Sequence, residues 1–82
     1  MTNTASSDLA EQINLAHARH DLTALVRLYS KAAEISRAAG DIDKASFLLT
    51  YAWIYALDVG SAEADGLRQQ LIALGRDIED SP

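Results

Sequence analysis

The chain repeats one punctuation at a fixed step. His20-Asp21-Leu22, Gly40-Asp41-Ile42 and Gly60-Ser61-Ala62 stand twenty residues apart. Each pairs a place where a helix can stop with a residue that can cap the next one: Asp21, Asp41 and Ser61 offer side-chain oxygens to the unpaired amides of a first turn. Each helix-plus-turn unit is therefore twenty residues long. Two units make a helical hairpin of about forty residues, and turns this short make consecutive helices antiparallel neighbours. The expected fold is all-α, with four antiparallel helices.

Composition agrees. Fifteen Ala and eleven Leu face only two Val, and no window alternates apolar and polar residues as a strand would. At 82 residues the chain holds one domain and a small core. The domain is expected to span 1–82, with a disordered N-terminus at 1–7 and a frayed acidic tail at 79–82. Met1 and the acidic, Pro-terminated end suggest a complete protein.

The first helix is expected from about Asp8 to Arg19, with Ser7 as N-cap, Asp8 and Glu11 in the first turn, and Leu9, Ile13 and Ala16 as its apolar stripe. The second runs from about Leu22 to Ala39. Its core face is Leu22, Leu25, Val26, Tyr29, Ala32, Ala33 and Ser36, and Gly40 is its stop. The third, about Ile42 to Val59, is apolar nearly all round. Ala45, Leu48, Leu49, Ala52, Ala56 and Val59 form its deepest stripe, flanked by Trp53 and Tyr55. The fourth, about Ala62 to Ile78, aligns Leu67, Leu71, Leu74 and Ile78 and tolerates Gly66 and Gly75.

The net charge of −5 comes from seven Lys and Arg against twelve Asp and Glu. All of the excess falls after residue 40. An acidic chain lacks the basic footprint of a nucleic-acid binder. The polar start, Met1 to Ser7, is no signal peptide. Phe47 to Leu57, the richest apolar stretch, is too short to span a bilayer. These features point to a cytoplasmic protein with no membrane contact.

Little here carries chemistry. No Cys is present, so thiolate zinc sites and disulfides are excluded. His17 and His20 lack a third or fourth metal ligand and read as a solvated helix end. No glycine-rich phosphate loop and no strained nucleophile turn occurs. Asp41/Asp43 and Glu63/Asp65 sit at helix starts, where capping accounts for them. The expectation is no enzyme, no cofactor, no metal and no small-molecule substrate.

Tyr29-x-x-Ala32-Ala33-x-x-Ser36, then Gly40-Asp41, then Ala45-x-x-x-Leu49-x-x-Ala52, resembles the tetratricopeptide repeat pattern. In that family small residues lie where the two helices of a hairpin cross. The usual Pro after the second helix is replaced by Gly60, the second helix is longer than the family norm, and three full repeats are not present. The resemblance implies a tetratricopeptide-like α-hairpin array; a compact four-helix bundle needs the same stripes. It also implies that the first helix of a hairpin lines a groove for acidic peptide segments. Arg27, Ser30, Glu34 and Arg37 would face that groove.

Two surfaces are therefore candidates for contact with another protein or with a second copy of the chain. Phe47, Tyr51 and Ile54 fall within about one fifth of a turn on the helical wheel, away from the deepest stripe and among Asp43, Thr50 and Asp58. Arg27, Lys31 and Arg37 decorate the second helix, with Lys31 and Glu34 spaced for an ion pair. The expected function is a small non-enzymatic adaptor or regulator that presents a helical face to a protein. A homo-oligomeric structural protein, or an acidic regulator that masks a basic surface, are the alternatives.

Overall fold

The computed structural model describes residues 4–75, with side chains from residue 8 onward. Four helices follow one another: α1 (Thr4–Arg19), α2 (Leu22–Ala38), α3 (Ile42–Val59) and α4 (Glu63–Ala73). No strand occurs among the described residues.

The twenty-residue step is a repeated turn geometry. His20, Gly40 and Gly60 adopt left-handed backbones, with φ of 55°, 87° and 67°. The next residue in each case folds back on the helix just ended. The Asp21 amide donates to the Ala16 carbonyl at 2.9 Å, Asp41 to Ser36 at 2.9 Å, and Ser61 to Ala56 at 2.8 Å. These bonds are the 6→1 closure that satisfies the free carbonyls of a helix end. The same residue then opens the next helix. Asp21 Oδ1 accepts from the Ala24 amide at 3.2 Å, Asp41 Oδ1 from Lys44 at 3.1 Å, and Ser61 Oγ from Glu63 at 3.1 Å. Stop and start share one residue, so the connection needs almost no loop.

Packing is sequential. α1 lies on α2, α2 on α3 and α3 on α4, with the α2–α3 hairpin the most extensive contact. Among the described residues α1 and α4 share no extensive contact. The molecule is a slab of 45 × 29 × 15 Å, an open array rather than a closed bundle in which first and last helices would meet. The continuous core joins Val26 and Ala33 of α2, Leu49, Ala52 and Ala56 of α3, and Leu67 and Leu71 of α4. Leu9 and Ala16 of α1, with Leu25 and Ala45, are buried beside it. Ala33, Ser36, Ala45 and Ala52, the small residues expected at a close helix crossing, are all buried.

Several boundaries differ from the sequence expectation. α1 begins at Thr4, so Ser7 lies within the helix instead of capping it, and residues 4–7 are its first turn. No Gly or Pro in that stretch halts the helix before Asp8. Residues 1–3 lie outside the described residues. α4 ends at Ala73 because Gly75, expected inside the helix, adopts φ 81° and terminates it. Ile78 and the tail at 79–82 lie outside the described residues. Val59, assigned to the deepest stripe of α3, is 39% exposed. It is the last residue before the left-handed Gly60, where the chain already turns away from α2.

Candidate interaction face

α3 sorts its side chains by size in an unusual sense. The inner face is Ala45, Leu49, Ala52 and Ala56, all buried. The outer face holds four large apolar side chains. Phe47 is 60% exposed, Tyr51 37%, Ile54 43% and Leu57 53%. Small inner residues let the α2 backbone approach closely; Leu48, Trp53 and Tyr55 pack half-buried along the edges of the core, and the remaining large side chains stand on the far side. The exposure expected of Phe47, Tyr51 and Ile54 is what the structure shows.

The outer face continues into an aromatic array that joins three helices. The Phe47 and Tyr51 rings meet edge to face at 5.0 Å. Tyr51 stacks on Tyr29 of α2 at 5.5 Å, and Tyr29 stacks on Tyr55 at 5.8 Å. His17 of α1 closes the row, edge-on to both Tyr29 and Tyr55, with its Nε2 3.0 Å from the Tyr29 hydroxyl. Edge-to-face and offset pairs of this kind add roughly 0.5–1.5 kcal/mol each beyond buried area. His17 is thus tied to the tyrosines, not simply solvated as expected. Burial first, then the neighbouring Tyr55 and Tyr51, raises the Tyr29 phenol above its ordinary pKa of 10.0.

Sequence reading placed Tyr29 in the core and did not connect it to Tyr51. The signal was available. Tyr29 and Tyr51 are equidistant from Gly40, so an antiparallel hairpin turning there sets them side by side. The α1 partner, His17, had no comparable marker.

Hydroxyls on α3 are satisfied locally. Ser46 Oγ donates to the Ile42 carbonyl at 3.0 Å and Thr50 Oγ1 to the Ser46 carbonyl at 2.9 Å. Thr50 therefore adds little hydrogen-bonding demand to the outer face, whose character remains apolar.

The basic residues of α2 form a different surface. Arg27, Lys31 and Arg37 are exposed; on the helical wheel Arg27 and Lys31 lie on the side of α2 away from Tyr29, and Arg37 falls about 80° from it. Arg27 borders two shallow depressions, one with Thr23, Val59 and Glu63 and the other with Gln12, Leu15 and Asp21. Lys31 and Glu34 form no ion pair with each other. Ser30 is half-buried, its Oγ has no hydrogen-bond partner, and it borders a shallow depression together with Glu63, Gly66, Leu67 and Gln70 of α4.

Among the described residues, no three His, Cys, Asp or Glu side chains gather as a metal-binding group. No helix among them is long and apolar enough to cross a membrane. Comparison with protein-family models, with curated proteins and with solved structures finds no match, so the functional reading rests on this geometry alone.

Proposed function

We propose that this chain is a small non-enzymatic interaction protein that presents the outer face of α3 to a protein partner. One observation carries the reading: Phe47, Tyr51, Ile54 and Leu57 share one side of a helix and stay exposed while Ala residues fill its core side. A row of large apolar side chains open to water is characteristic of a contact surface. Aromatic anchors at its centre are the residue types that dominate binding energy. The burial of Ala33, Ser36, Ala45 and Ala52 supports treating α2–α3 as a tetratricopeptide-like hairpin that serves as scaffold. In this reading Arg27, Lys31 and Arg37 steer encounter rather than anchor it.

The test places a photo-crosslinking amino acid at position 47, and separately at positions 31 and 37, in the source cell. The reading expects protein adducts from position 47 that Ile54→Glu in the same chain abolishes. Adducts from 31 or 37 alone would move the contact surface to α2 and refute it.

A further inference from the structure

The outer face of α3 has a helical seam, and the seam carries its own complement. Lys44, Phe47, Tyr51, Ile54 and Asp58 follow one another at steps of three, four, three and four residues. That alternation is the a/d spacing of a left-handed helix pair, so the face is shaped for another helix rather than for an extended strand. All five residues are exposed. The two ends bear opposite charges, and among the described residues neither Lys44 nor Asp58 spends its charge in an ion pair. Asp43, on the other edge of the arc, is engaged within its own chain.

Resting on the reading above, we infer that the occupant of this face is a second copy of the chain, with the two α3 helices antiparallel about a two-fold axis near Tyr51. Tyr51 is equidistant from Lys44 and Asp58. An antiparallel two-fold there brings each Lys44 within a turn of the partner subunit's Asp58, twice over. It also sets aromatic Phe47 against aliphatic Ile54 on either side of the axis. A parallel pair would instead oppose Lys44 to Lys44 and Asp58 to Asp58. Isologous contacts need a self-complementary patch, and this seam is one. About four helical turns separate Lys44 from Asp58, which limits the contact to roughly 21 Å of helix. The dimer is therefore modest and depends on its concentration.

Charge exchange tests this directly. Absolute mass is measured by light scattering across a dilution series for the full chain, Phe47→Glu, Lys44→Glu, Asp58→Lys, and an equimolar mixture of the last two. The full chain is expected to dissociate on dilution and Phe47→Glu to be monomeric. Each single charge variant should self-associate at least about tenfold more weakly, because two attractions become two repulsions. The mixture should recover the dimer, since one partner then carries acids at both ends of the seam and the other carries bases.

A full chain that stays monomeric throughout, while position 47 still yields adducts in cells, overturns the second copy and leaves the interaction face standing. A dimer that Phe47→Glu does not weaken overturns both. A dimer lost in Phe47→Glu but indifferent to the charge variants overturns the antiparallel pairing. Circular dichroism of every variant confirms that helical content is retained.

Discussion

The two faces of α3 are one helix under opposite rules. Facing α2, the helix offers Ala45, Leu49, Ala52 and Ala56, and all are buried. Facing outward it offers Phe47, Tyr51, Ile54 and Leu57, each more than a third exposed. A sequence arranged only to stabilise its own monomer gains most by turning large side chains inward, since a fully buried Leu or Phe contributes about 1.5–3 kcal/mol. Here the inner face is specialised for closeness and the outer face for area. Under the proposed function, folding is governed by the first face and association by the second.

The sharpest way to break this contrast is to truncate one large residue from each face. Leu49→Ala should cost about 2–5 kcal/mol and leave a domain of this size largely unfolded, as read by circular dichroism on heating. Phe47→Ala, measured in dilute solution, should change monomer stability by less than about 0.5 kcal/mol. Equal losses would show that both faces serve the fold.

Adding bulk probes the same contrast from the other side. Ala52→Leu should cost about 1–3 kcal/mol by forcing α2 and α3 apart, in chemical denaturation with an unchanged slope. Thr50→Leu, on the outer side, should not, and it should strengthen self-association in the dilution series.

A smaller effect calibrates the scale away from α3. Gly40 and His20 occupy the same turn position with φ of 87° and 55°. Gly40→Ala should lose about 1 kcal/mol; a Cβ there meets no neighbour, so the cost is backbone conformation alone. His20→Gly should gain up to about 1 kcal/mol, because a side chain in the left-handed region is strained.

The smallest effect reports on the border between the faces, where Tyr51 stacks on Tyr29. The Tyr29 phenol has a raised pKa in the folded chain. Above the ordinary value of 10.0 the unfolded chain loses this proton while the folded chain keeps it. The stabilisation is therefore complete below pH 10 and lost as pH rises beyond it. Melting temperature should fall on the alkaline side of pH 10, and Tyr29→Phe should flatten that fall.

Much of the fold was legible because turn chemistry is local. Asp21, Asp41 and Ser61 act within a few residues of themselves, so the step of twenty could be read directly. The inner and outer residues of α3 could also be separated by helical period. What failed was not local. The end of α4 depends on whether Gly75 is a weak helix residue or a left-handed stop, and either reading fits the sequence. The tie between His17 and Tyr29 depends on where α1 sits across the hairpin, which no spacing within α1 encodes. The open array was also hidden, because an array and a bundle bury the same stripes and differ only in whether α1 meets α4.

Thermal melting of Phe47→Glu over a range of protein concentrations tests the central claim most directly, with the full chain alongside. The outer face is held to be dispensable for folding and necessary for association. The variant should therefore keep its helical signal and melt at one temperature whatever its concentration, and that temperature should match the full chain at high dilution. Loss of the helical signal at every concentration would contradict this, by showing that Phe47 belongs to the fold.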